Sequence, residues 1–203
     1  MILYGAPNPA PNPRRVRIFL AEKGIDLPET RVNIMKREHK SEEHRARNSL
    51  GQVPTLVLDD GTAISETVAI CRYLDETNGG SALFGTTPLE RAQVEMWIRR
   101  IEFVLMNPVG MFWRHAHPLT AALIEQHKDF GQSNEANYHN GLKWLDAELA
   151  DKPFVAGEAY TMADICALST VDFAEWIGLP IPEEFANVKA WHARVTARPS
   201  AQA

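Results

Sequence analysis

The sequence predicts two parts, a small α/β domain on a four-stranded mixed sheet followed by an all-helical domain. Three observations lead there. Over the first eighty or so positions, short apolar strands and helical patterns follow the order βαβαββα. The stretch ETNGGSALFGTTP (76–88) then loses all periodicity and is rich in Gly, Ser and Thr. Everything beyond it repeats with helical spacing. Domain bounds of 1–78, a linker at 79–87 and 88–203 follow.

ILYG (2–5) reads as the first strand, and APNPAPNP then places a proline at every second position from Pro7 to Pro13. A helix follows, with Asn12 expected as its N-cap, Pro13 as its first residue, a shared face of Val16, Phe19, Leu20 and Lys23, and Gly24 as its stop. TRVNI (30–34) alternates as a second strand, and SEEHRARNSLG (41–51) reads as a short polar helix. PTLVLDDGTAIS (54–65) is a hairpin turning on Asp60-Gly61, and a helix with a mixed face around Val68, Cys71, Tyr73 and Leu74 closes the domain.

In the second part, Thr87-Pro88-Leu89-Glu90 is a helix start with a first-turn proline and an acidic third residue. Val94, Trp97, Ile98, Ile101, Val104 and Leu105 form its apolar stripe, which Asn107-Pro108 should bend or end. Tyr138, Leu142, Leu145 and Leu149 mark a later helix. Thr161 and Asp164 form a capping box, with Tyr160 and Ile165 at hydrophobic-staple positions.

Composition narrows the function. The chain has 203 residues, 45% hydrophobic, and a formal net charge of −5, which opposes non-specific nucleic-acid binding. No run approaches the roughly 20 apolar residues of a membrane span, and no signal-peptide order opens the chain, so a cytoplasmic protein is expected. Cys71 and Cys166 sit in apolar helical patterns and read as buried small hydrophobes, and the absence of CxxC excludes a thioredoxin-type dithiol. His115 and His117 lack neighbouring acidic or cysteine ligands, so no metal is expected. Arg14, Arg15 and Arg17 read as a solvated or ion-paired face.

Two short motifs suit a ligand. GQVP (51–54) forces Val53 into an extended shape that can pair with a peptide-like ligand as an added strand, or simply enters the next strand. ISET (64–67) gathers hydroxyls and N–H groups where a helix begins, which suits a carboxylate or ordinary capping.

Taken together, RRVRIFLAEKGI, NSLGQVPTLVLDDGTAISETVAICRYLDE and FVAGEAYTMADICALSTVDF resemble the soluble glutathione transferase family over essentially the whole chain. The resemblance implies a thioredoxin-like first domain and glutathione as cosubstrate, with no metal. It implies that Val53 pairs with the cysteinyl part before a cis Pro54, and that Glu66 and Thr67 hold the γ-glutamyl end. Gln52 with Lys40 or His39 would take the glycine carboxylate. It also implies a homodimer and a small hydrophobic electrophile held between domains, with Met106, Met111, Phe112, Trp113, Arg114 and His115 as pocket candidates. The family's Tyr, Ser or Cys after the first strand is missing, since Ala10 stands near the serine position. Asn12 is then the leading candidate for holding the thiolate, with Asn8 and the strand residue Tyr4 behind it. The same fold also serves non-catalytic ligand binding and glutathione-dependent disulfide or peroxide reduction.

Overall fold

The computed structural model describes residues 1–203, in two compact units, 1–81 with 199–203, and 82–198. The first unit contains β1 (Ile2–Gly5), α1 (Pro11–Lys23), β2 (Glu29–Arg31), α2 (Glu42–Arg47), β3 (Thr55–Val57), β4 (Ala63–Ser65) and α3 (Thr67–Thr77). Its sheet runs β2-β1-β3-β4, with β1 and β2 parallel and the other pairs antiparallel. Leu3, Val16, Phe19, Leu56, Ile70, Cys71 and Leu74 are fully buried in this unit, each aliphatic burial contributing about 1.5–3 kcal/mol.

The register decides where loops meet. Gly5 pairs with Arg31, Tyr4 with Thr55, and Thr55 with Ser65. Consequently the exits of β1, β2 and β4 and the entry to β3 share one end of the sheet, and α1 and α3 begin there.

Several local expectations shift. Helix α1 begins at Pro11 with Ala10 at the cap position, so Asn12 lies inside the first turn and is not the N-cap. Proline at the first helical position preorganises the turn, which moves the start upstream. Gly24 does end α1, in the left-handed region at φ 63° with its N–H on Leu20 and Ala21 carbonyls. β2 stops at Arg31, because Asn33 turns the chain: its side chain accepts from Lys36 N–H and its own N–H donates to Glu38. The stretch after α3 forms a short 3₁₀ turn, Ala82–Phe84, with Leu83 and Phe84 buried. Of the solvated or ion-paired face expected for the α1 arginines, the ion pair holds at Arg17, with Glu29 at 3.1 Å, whereas Arg15 is 2% exposed and Arg14 and Arg17 also reach backbone carbonyls.

The second unit holds α4 (Pro88–Ile101), α5 (Asn107–His115), α6 (Lys128–Glu148), α7 (Met162–Trp176) and α8 (Ala186–Thr196). Pro108 does not end the helix. A π turn at Glu102–Met106 carries α4 into α5, the wider turn accommodating a residue that cannot donate. Helix α7 is the core, with Met162–Val171 buried throughout. Both cysteines are buried and unbridged. No helix is long and apolar enough to cross a membrane.

Candidate functional site

At the shared end of the sheet, the loop before β3 is held by side chains. The Gln52 carbonyl accepts from Asn48 Nδ2 at 3.1 Å and Thr55 Oγ1 at 3.4 Å, and His44 Nε2 lies 2.8 Å away, which calls for the Nε2–H tautomer. His44 and Asn48 are buried on one face of the α2 region, four residues apart, and Ser41 caps that helix through His44 N–H. Lys40 Nζ donates to the Leu50 and Gly51 carbonyls at 3.0 and 2.7 Å. Gly51 sits at φ 57°, where a Cβ would meet His39 O at 2.7 Å, so only glycine fits. With the loop pinned from both sides, Val53 is presented with its own N–H and C=O unpaired, before a cis bond to Pro54.

Across the β3–β4 ladder, Glu66 occupies φ 69°, ψ 120° at the start of α3. A non-glycine residue there stores strain, of about 1–3 kcal/mol. Its carboxylate has no partner and is exposed, and no side chain caps the helix. The N–H groups of Thr67, Val68 and Ala69 are therefore open, while Ile70 N–H is the first to find a helical acceptor, Glu66 O. An acceptor arriving here would meet backbone donors and the helix dipole. The buried Thr67 adds its hydroxyl.

At the start of α1, prolines hold the first and third helical positions, and Arg14 N–H already reaches Ala10 O. Of the first-turn donors only the Asn12 N–H exists and is free, and the half-buried Asn12 amide is also unpaired. The two other thiolate candidates make contacts of their own. Asn8 Oδ1 accepts from Arg17 Nη2 at 2.6 Å and its Nδ2 donates to Ala203 O at 3.4 Å. Tyr4 lies under the Arg47 guanidinium, 4.4 Å from the ring centre, within the sheet.

His39 has a buried Nδ1 without a partner, and desolvation, then Lys40, His44 and Arg37, hold its pKa below the ordinary value. Burial thus favours its neutral form, while Lys40 is held on the Leu50 and Gly51 carbonyls that precede Gln52, whose exposed amide is unpaired.

In the second unit, Met106, Met111, Phe112, Trp113 and His115 are half-buried along α5 and the π turn. Trp113 packs with His117, Phe173 and Trp176, its ring centroid 4.7, 5.4 and 5.6 Å from theirs, and Met106 Sδ lies 3.6 Å from Thr170 Oγ1. The His115 ring lies tilted to His127 and edge-on to Phe130, with centroids 5.6 Å away in both cases. Desolvation lowers the His117 pKa. No group of three or more His, Cys, Asp or Glu is placed to hold a metal.

The sequence reading missed the His44–Asn48–Thr55 clasp and the Arg17 contacts. The first had a signal, the i, i+4 pair HRARN ahead of GQVP; the second had none.

Comparison with known proteins bears on this geometry. Residues 10–77 match the glutathione S-transferase N-terminal domain and residues 106–199 its C-terminal domain. The chain is 40% identical to glutathione S-transferase 2 of Saccharomyces cerevisiae, over 98% of this chain and 87% of that protein. Among solved structures, Gtt2 from Saccharomyces cerevisiae aligns with a TM-score of 0.94 at 38% identity, covering 100% of this chain and 99% of that one. A glutathione S-transferase domain-containing protein from Marinobacter aquaeolei VT8 aligns at 0.92 and 39%, covering 98% and 99%.

Proposed function

The chain belongs to the glutathione S-transferase family, and from that premise we propose that the shared end of the sheet binds glutathione and that α1 stabilises its thiolate for attack on a small hydrophobic electrophile. The unpaired Val53 N–H and C=O pair with the cysteinyl portion in the manner of an added strand. Glu66, Thr67 and the open N–H groups of α3 take the γ-glutamyl end, the N–H groups serving its carboxylate and Glu66 its amine. Gln52 and Lys40 take the glycine carboxylate.

The observation that carries the mechanism is the start of α1. With prolines on either side, a single free backbone donor at Asn12 faces outward along the positive end of the helix. An N–H cannot remove a proton. It favours the charged sulfur by hydrogen bonding, and the thiol proton leaves to solvent. Met106, Met111, Phe112, Trp113 and His115 supply the apolar surface for the electrophile.

Titrating the ultraviolet absorbance of the bound thiolate tests this. Asn12→Pro deletes the N–H at a position where the first turn tolerates proline, and Asn12→Ala deletes only the amide. Loss of a charge-assisted hydrogen bond, about 1.5–3 kcal/mol, should raise the thiol pKa by about one to two units in Asn12→Pro. A pKa unchanged in both variants removes Asn12 from the mechanism.

A twofold dimer is also proposed. Leu89, Met96 and Phe103, seven residues apart, are 68, 39 and 68% exposed along α4 and its π continuation, an apolar row that a second copy would cover. Light scattering should give twice the chain mass, with Phe103→Asp shifted toward monomer; a monomeric wild type at micromolar concentration rejects the dimer.

A further inference from the structure

The segment APNPAPNP cannot secure itself. Pro7, Pro9, Pro11 and Pro13 have no N–H, so the loop leaving β1 has few main-chain donors with which to bind the rest of the unit, and one of them, Ala10 N–H, closes a local turn onto Pro7 O. What fixes the loop is a side chain from the helix it leads into. Arg17 Nη1 donates to Ala6 O at 3.0 Å, and Nη2 to Asn8 Oδ1 at 2.6 Å. The same guanidinium is held from behind by Glu29 of β2 at 3.1 Å. Glu29 reaches it across Gly5, where any Cβ would lie 2.3 Å from the carboxylate oxygen. The far side of Asn8 rests on Ala203 O, in the 3₁₀ segment Pro199–Gln202 and its last residue, which Arg14 ties to α1 through Ala201 O at 2.9 Å.

We propose that Arg17 is a positioning residue for catalysis: its fork on Ala6 O and Asn8 Oδ1 fixes the proline loop, and hence the direction of the Asn12 N–H, relative to the glutathione sulfur. The role rests on the reading of α1 as the thiolate-holding element. A guanidinium suits it because its planar donors reach two acceptors at once, which an ammonium does with less fixed geometry. Arg17 is one helical turn beyond the reacting end and touches neither sulfur nor electrophile. Its effect is confined to how well the donor is aimed, so binding of the tripeptide backbone at Val53 and Glu66 is independent of it.

The test measures the bound-thiol pKa and the pH profile of turnover in Arg17→Met, Arg17→Lys and Glu29→Gln. Arg17→Met should raise the thiol pKa by about one unit. Turnover at pH 6.5 then falls about tenfold and recovers toward wild type at pH 9, while the KM for glutathione stays within about twofold. Arg17→Lys should lie between the two. Glu29→Gln removes the charge yet keeps a side-chain oxygen that can accept from Nη1, so the fork stays on the loop and the pKa should match the wild type. An equal shift in Glu29→Gln assigns the effect to general stability and overturns the proposal. So does an unshifted Arg17→Met, provided Asn12→Pro shifts. If Asn12→Pro itself is flat, the thiolate reading fails, and the role of Arg17 with it. Should Arg17→Met not fold, Asn8→Ala at an exposed position decides: a pKa equal to wild type there overturns the proposal.

Discussion

Helices α1 and α3 of the first unit begin with Ala10 and Glu66 at their caps and no side-chain hydrogen bond to the first turn. Helices α4 and α7 of the second begin with complete capping boxes, Thr87 with Glu90 and Thr161 with Asp164. Every helix faces the same problem of donors without acceptors. At α4 and α7 the chain answers it internally, and the box is buried in α7, where Asp164 also accepts from Val155 N–H and Trp191 Nε1 at 2.9 Å each. At α1 and α3 the donors are left for something else to satisfy. The strained Glu66 and the unpaired Val53 backbone lie at the same end of the sheet, so in the first unit open backbone groups gather where a ligand is expected. That distribution separates binding from folding, and each can be perturbed without the other.

The sharpest break falls on Asp164. It is fully buried, and Asp164→Ala would strand the donors of Val155, Thr161 and Trp191, at a cost of about 3–5 kcal/mol. Urea unfolding should show this loss, while the folded fraction keeps its glutathione affinity. Burial pushes the Asp164 pKa up to about 6, against opposing hydrogen bonds from Val155, Trp191 and Thr161. Because the folded value exceeds the unfolded one of 3.8, the contribution of this group is fully present below about pH 4 and declines as pH rises through 6. Measured against Asp164→Asn, the wild-type advantage should therefore be largest near pH 4 and narrow toward pH 7. An advantage that widens over that range would show the carboxylate to be stabilised as the anion.

The converse perturbation is smaller. Glu66→Gly removes the exposed carboxylate and relieves the positive φ. Calorimetric titration should show glutathione affinity weakened about tenfold or more, the loss of one charge-assisted hydrogen bond. Stability should stay level or rise by up to about 1 kcal/mol. A variant that binds glutathione normally would remove Glu66 from the site, and one that loses both stability and binding would erase the contrast between the two units.

Much of this was legible in the chain itself, because it depends on neighbours in sequence. Periodicity marks the helices, Asp60-Gly61 marks the hairpin, Thr161 and Asp164 mark a buried helix start, and Val53-Pro54 with Glu66-Thr67 carry the family resemblance. Where local rules compete, sequence alone misplaced the detail. Asn12 is a better N-cap than Ala10 in isolation, but Pro11 starts the helix first, and Pro108 is absorbed by a π turn rather than ending its helix. What only the tertiary structure decided are contacts between residues far apart in the chain. Arg17 leaves the helix surface because Glu29, brought alongside by the parallel β1–β2 pair, reaches it across Gly5. The amide of Asn8 gains contacts that its sequence neighbours do not supply, its Oδ1 accepting from Arg17 and its Nδ2 donating to Ala203 O. A side chain's capacity to hydrogen-bond is written in its identity, whereas whether that capacity is already used depends on which distant residues the fold brings within 3 Å or so of it.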